Sequence, residues 1–450
     1  MAGQDIPRPF AFDPKQITKM LDWAAQRIVE GPDPKAGARS FVELDPDLAG
    51  SITDDGIGAD AAFTLFTDTI VPTIRPFDHP ASLSFVASAP STASLAFDAV
   101  LGPTEIFAGN WDAGAGAIHA ENQALAWLAG MAGWTDAAGG VFVAGGTLGN
   151  LSALHAARTW RAAQTNRPER WAILCSSEAH SSIKAVADVM DVDLITVLAD
   201  KTGRMNAQAA KTAMTQPDRV FAIVANAGAT NCGAVDDIAG LADLADQHGI
   251  WLHLDGAYGL AAMADSKTRP IFNGIDRAHS FIVDPHKWLF APYDSCALVY
   301  RDARWGAAAH GQRAVYLDAI DAGEWNPSDY ALHLTRRARG LPLWFSLATH
   351  GAAAYGDAIA QCLAISQKIA DGINAMPHLD LLLGPQLSVI LFKPTGMDAA
   401  AMDAWAESKR RSGALLCLPT TWHGEKVFRI CVVNPNTDAD LVLAELETMQ

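Results

Sequence analysis

The sequence predicts an α/β protein, a mostly parallel sheet wrapped by helices. Between Val141 and Tyr300, short apolar runs of strand length alternate with stretches of helical period. The runs are rich in β-branched residues and apolar along their length, as in strands covered on both faces. Several end in polar or glycine-rich turns, the place where open α/β sheets bind ligands.

Composition narrows the function. A chain of 450 residues is long enough for a large core and more than one folding unit. Half of it is hydrophobic and 18% charged, which is globular rather than disordered. Lys+Arg 33 against Asp+Glu 50 gives a net charge of −17, so nucleic acid and anionic membrane are poor partners and a small molecule is a better one. Cys175, Cys232, Cys296, Cys362, Cys417 and Cys431 lack CxxC spacing and read as reduced core thiols. The first residues show no charged segment followed by an apolar core, and no run of about 18 apolar residues occurs. The expected location is the cytoplasm.

Taken in order, Asp13-Pro14 predicts a capped helix through Ile17, Leu21, Ala24 and Ile28, stopped by Gly31-Pro32. A second periodic segment spans 62–70, and the two form an N-terminal helical arm. His79-Pro80 opens a loop leading to a serine-rich turn at 88–94. A helix is expected at 116–134 and a strand at 140–144. Gly145-Gly146-Thr147-Leu148-Gly149-Asn150 then leads into another helix. Strand, glycine turn and helix make an anion site, because free amides and the helix dipole point at the turn.

A strand at 171–175 runs into a turn carrying His180. Strands at 194–198 and 220–224 flank a helix at 207–214, and the second leads to Thr230 and then Asp236. The strand at 250–254 delivers Asp255, followed by Gly256 and Ala257. A carboxylate ending a buried strand is costly without a cationic partner. A metal shared with His253 is the rival reading, with no third ligand evident nearby. The run at 280–283 precedes Asp284-Pro285-His286-Lys287-Trp288. A lysine in such dry surroundings is expected to have a lowered pKa and a neutral amine ready to attack carbonyls. Beyond the strand at 297–300 lies a polar stretch, 301–339, containing Tyr316 and ending in Arg336, Arg337 and Arg339. The last hundred residues alternate helix and strand as a small C-terminal α/β domain does.

The tetrad Pro285-His286-Lys287-Trp288 resembles the cofactor-lysine signature of the pyridoxal-phosphate-dependent group II decarboxylases, which include aromatic-L-amino-acid, glutamate and histidine decarboxylases. The glycine turn, His180, Thr230, Asp255 and Lys287 fall in that family's order. The resemblance implies a fold-type I architecture: a sheet of the seven-stranded type in a large domain (79–340), a small C-terminal domain (341–450), and an arm (1–78) packed on a partner subunit in a homodimer. It implies that Lys287 carries pyridoxal 5'-phosphate, Asp255 pairs with the ring nitrogen and His180 stacks on the ring. Gly146, Thr147, Thr230, Ala257 and His286 complete the cofactor set.

The family usually reads Gly-Gly-Ser/Thr-Glu-Ala-Asn at the glycine turn, so Leu148 and Gly149 depart from it. Aromatic decarboxylases carry rings after His79-Pro80, where this chain has Ala81, Ser82 and Leu83. Phe77, Leu83 and His180 are the substrate-facing candidates, and Tyr316 matches a loop tyrosine that returns a proton. The reaction implied is decarboxylation of an L-amino acid, aromatic or of medium size and apolar. Aldehyde formation, transamination and side-chain cleavage would use the same lysine and aspartate, and a non-catalytic pyridoxal-binding scaffold is the alternative outside enzymes.

Overall fold

The computed structural model describes residues 12–311 and 324–449. The helix Pro14–Glu30 begins where Asp13 accepts the Lys15 N–H at 2.9 Å and ends at Gly31 with φ of 76°. The helix Ala59–Leu65 continues into the wider turn Phe66–Ile70. Neither buries a residue completely, and Ile17, Leu21, Val29 and Ile70 all stay exposed.

The centre is a seven-stranded sheet: β1 (Gly139–Val143), β2 (Ala172–Ser176), β3 (Asp193–Val197), β4 (Val220–Asn226), β5 (Trp251–Asp255), β6 (Ser280–Val283) and β7 (Cys296–Tyr300), in the order β1-β7-β6-β5-β4-β2-β3. Neighbours from β6 through β3 pair in parallel, whereas β7 is antiparallel to both β6 and β1. Strands β2, β4, β5, β6 and β7 are buried along their whole length, which is why they are apolar throughout. The helices Trp111–Met131, Gly146–Ala162, Ser181–Met190 and Ile238–His248 cover the faces, burying Leu125, Leu154, Ile183 and Leu241.

A four-stranded sheet, β8 (Leu379–Gln386), β9 (Val389–Pro394), β10 (Pro419–Trp422) and β11 (Glu425–Cys431), follows in the order β10-β11-β9-β8, antiparallel at each pair. Strands β8 and β9 form a hairpin turning at Leu387, whose φ is 55°. Two further helices replace expected turn and loop. Thr92–Leu101 is capped by Ser91, and Ala303–His310 opens the polar stretch. All six cysteines are buried and unpaired.

Candidate active site

The carboxyl ends of β1, β2, β4, β5 and β6 open on one cavity of about 560 Å³. Gly146 and Thr147 reach it from the turn after β1, His180 from the turn after β2 and Thr230 from the turn after β4. Asp255 and Ala257 follow β5, and His286 and Lys287 follow β6. The eight positions singled out for a cofactor therefore share one cavity. Phe77 and Leu83, expected to face substrate, do not line it. Leu83 is a core residue whose peptide is bonded to Leu416 and Cys431, and Phe77 packs edge-on to Phe85 at 5.4 Å. Tyr316 lies outside the described residues.

The glycine turn is shaped by close packing. A Cβ on Gly149 would stand 2.8 Å from Ile282 Cγ2, and one on Gly146 would stand 3.3 Å from Asp284 Oδ2. The helix Gly146–Ala162 has Gly145 at its N-cap and, among the described residues, no side-chain cap; the Leu148 and Gly149 N–H groups turn back on the Gly145 carbonyl, which leaves those of Gly146 and Thr147 for a ligand.

Lys287 Nζ lies 3.0 Å from Asp284 Oδ2, and His286 Nε2 lies 3.6 Å from the same oxygen. This corrects the expectation of a lowered lysine pKa. Burial does pull it down, but the buried Asp284 carboxylate, with Asp255 and Cys296 beyond, outweighs burial and leaves Lys287 above its ordinary value. Burial lowers the pKa of His286 despite the same carboxylate, and the His286 Nδ1 accepts the Ser295 N–H at 3.1 Å.

Asp255, 7% exposed, accepts the Asn150 amide at 3.0 Å and the Ala257 N–H at 3.3 Å. Among the described residues it forms no ion pair. His253, read alternatively as a metal ligand, has both ring nitrogens engaged, by Ser280 Oγ at 2.8 Å and Asn150 Oδ1 at 2.9 Å. Asn226 Nδ2 and Asp284 Oδ1 are buried at the cavity with no hydrogen-bond partner among the described residues. Asp236, behind the Thr230 turn, accepts the Met205 and Asn226 N–H groups, each at 2.7 Å.

A pyridoxal-dependent decarboxylase conserved domain matches residues 53–395. The chain belongs to the pyridoxal-dependent decarboxylase family. It is 30% identical to an aromatic-L-amino-acid decarboxylase of Bacillus atrophaeus over 88% of this chain and 86% of that protein. It is 29% identical to an L-2,4-diaminobutyrate decarboxylase of Rhizobium meliloti, over 90% and 83% respectively. Among solved structures, the Oryza sativa TDC with PLP and tryptamine superposes with a TM-score of 0.88 at 22% identity, covering 98% of each chain. The decarboxylase is thus a carboxy-lyase dependent on pyridoxal phosphate and acting on an amino acid.

The residues present fit that cofactor. Free amides at the glycine turn suit its phosphate, and the uncompensated carboxylate of Asp255 suits a protonated ring nitrogen. The unpartnered Asn226 amide supplies a further donor. Asn150, Asn226 and Asp284 are the site residues that sequence reasoning missed. Asn226 and Asp284 each follow an apolar run directly, the same signal that singled out Asp255. Asn150 sits inside a helix and gave no such signal.

Proposed function

We propose that this decarboxylase converts an L-amino acid with an aromatic or medium-sized apolar side chain to its amine and carbon dioxide. One observation carries the reading: the Lys287 amine and the Asp255 carboxylate open on one cavity from the ends of β6 and β5, which are adjacent and parallel. Leu148, Leu151, Val186 and Val189 give the cavity an apolar wall, which suits such a side chain better than a charged one.

Pyridoxal phosphate, when bound, supplies an electron sink for the bond that breaks as carbon dioxide leaves. Lys287 would hold it covalently through its amine, and Asp255 would keep a proton on the ring nitrogen. His180 would stack on the ring, and Gly146, Thr147 and Thr230 would hold the phosphate. Excluding water from the cavity strengthens each of these interactions. We further propose a homodimer in the cytoplasm, with an arm at 1–78, a large domain at 79–340 and a small one at 341–450. The exposed Ile17, Leu21 and Val29 on the first helix support the dimer.

Borohydride reduction followed by peptide mapping tests the lysine. The adduct is expected on Lys287 and absent from Lys287→Ala, and an adduct on another lysine would overturn the assignment. Asp255→Asn is expected to keep much of the cofactor and lose most turnover. A panel of aromatic, aliphatic and diamino acids, read by amine and carbon dioxide formation, tests the substrate class; preference for 2,4-diaminobutyrate would reject the apolar reading.

A further inference from the structure

We propose that Asn150 is a positioning residue that joins the carboxylate of Asp255 and the ring of His180 through a hydrogen-bond chain of fixed direction. Asn150 is 1% exposed, and its side chain meets Asp255, Ser182 and His253 at once. Donor and acceptor chemistry alone orients it. A carboxylate only accepts, so the amide nitrogen faces Asp255 Oδ2 at 3.0 Å, and its other N–H points to Ser182 Oγ, also at 3.0 Å. The amide oxygen is then left for His253 Nε2 at 2.9 Å, which must carry a proton.

The remaining links follow in turn. His253 is fully buried, and burial lowers its pKa to about 4 despite the neighbouring Asp255, so the ring is neutral and its Nδ1 bears no proton. Nδ1 accepts the Ser280 hydroxyl at 2.8 Å, and that same oxygen accepts the Trp251 indole N–H at 2.8 Å. On the other branch, the Ser182 N–H donates to His180 Nδ1 at 3.2 Å, which makes this nitrogen an acceptor. The Ser182 hydroxyl, accepting from Asn150, therefore gives its own proton to His180 Nδ1 at 2.9 Å. Direction runs one way, from Trp251 through Ser280, His253 and Asn150, and then divides to Asp255 and His180.

Two consequences bear on the reaction. Asp255 is oriented by the Asn150 amide in a buried site, and His180 is held with its proton on Nε2. Both depend on one amide. The proposal rests on the roles proposed above for Asp255 and His180, and its test separates the two readings.

Apoprotein of Asn150→Ala, Asp255→Ala and the double variant is to be compared with the parent for pyridoxal phosphate affinity by equilibrium dialysis. A bond to a charged acceptor is worth enough that Asn150→Ala should weaken affinity by about tenfold or more. In the Asp255→Ala background the same change should have a clearly smaller effect, because only the branch to His180 remains. Equal losses in both backgrounds would overturn the proposal. Unchanged affinity in Asp255→Ala alone would remove the role of Asp255 itself, and this proposal with it. If Asn150→Ala does not fold, Asn150→Leu, close in volume and without donor or charge, is expected to give the same pattern. Spectra of 15N-histidine-labelled holoenzyme read the other branch: His180 should show a protonated Nε2 and a bare Nδ1 when neutral, and a proton on Nδ1 would overturn the one-way direction of the chain.

Discussion

Lys287 gains its proton affinity from a residue three positions earlier, and that is directly testable. Asp284 is 2% exposed and lies 3.0 Å from the amine, so Asp284→Asn should lower the Lys287 pKa. Labelling apoprotein with an amine-reactive reagent across a pH series, read by peptide mass, reports this. The half-labelling pH for Lys287 should move down in the variant, and an unmoved value would show that Asp255 or Cys296 sets it instead. His286 and Tyr293 also face this group and are left unchanged. Lys287 and Asp255 were legible in the sequence because a charged group ending an apolar strand is costly and must have a use. The sign of the lysine shift was not, because it turns on a distance between two side chains. Leu83 misled for a related reason: position after His79-Pro80 says nothing of which way a side chain points, and here it points into the core.

At the scale of elements, close approach of helix to sheet is set by glycine. Gly149→Val should cost about 1–3 kcal/mol by overpacking, since its Cβ would press on Ile282 at 2.8 Å and Cys296 at 3.0 Å, both buried. Gly140→Ala should be worse, because its Cβ would fall 1.9 Å from the Leu298 carbonyl oxygen on β7 and part the β1–β7 pair. Denaturant midpoints of both variants check the order, and a Gly140→Ala protein as stable as the parent would contradict the packing. Strand positions were legible from apolar runs, but the reversed direction of β7 was not, since a strand buried on both faces reads the same either way. The β8–β9 turn carries neither glycine nor proline. It is held from outside instead, by the Tyr258 hydroxyl accepting the Ser388 N–H at 2.9 Å.

For the whole molecule, buried histidines predict how stability depends on pH. His253, His279 and His310 are 0%, 6% and 6% exposed, and burial lowers their pKa values to about 4, about 3 and about 4. Burial holds each neutral: His279 Nδ1 accepts the Leu252 N–H at 3.1 Å, and the Ser152 carbonyl that accepts from His310 Nε2 at 2.9 Å opposes the shift without overcoming it. In the unfolded chain a histidine takes up its proton near pH 6.5. A depressed folded pKa therefore leaves stability whole above pH 6.5 and removes it as pH falls toward 4. Between pH 6.5 and 5 most carboxylates stay ionised, but burial raises Asp236 to about 7, so its carboxyl releases a proton on unfolding and offsets one of those the histidines take up. Unfolding at pH 5 should take up close to three protons through the histidines and about two net, which corresponds to a slope of about 3 kcal/mol per pH unit. Calorimetric unfolding in buffers of different ionisation enthalpy measures that uptake. His279→Gln should reduce it by about one proton, because the substituted side chain does not titrate. An uptake that stayed flat from pH 7 to pH 5 would mean that these rings are charged in the folded protein, and the one-way hydrogen-bond chain through His253 would fall with it.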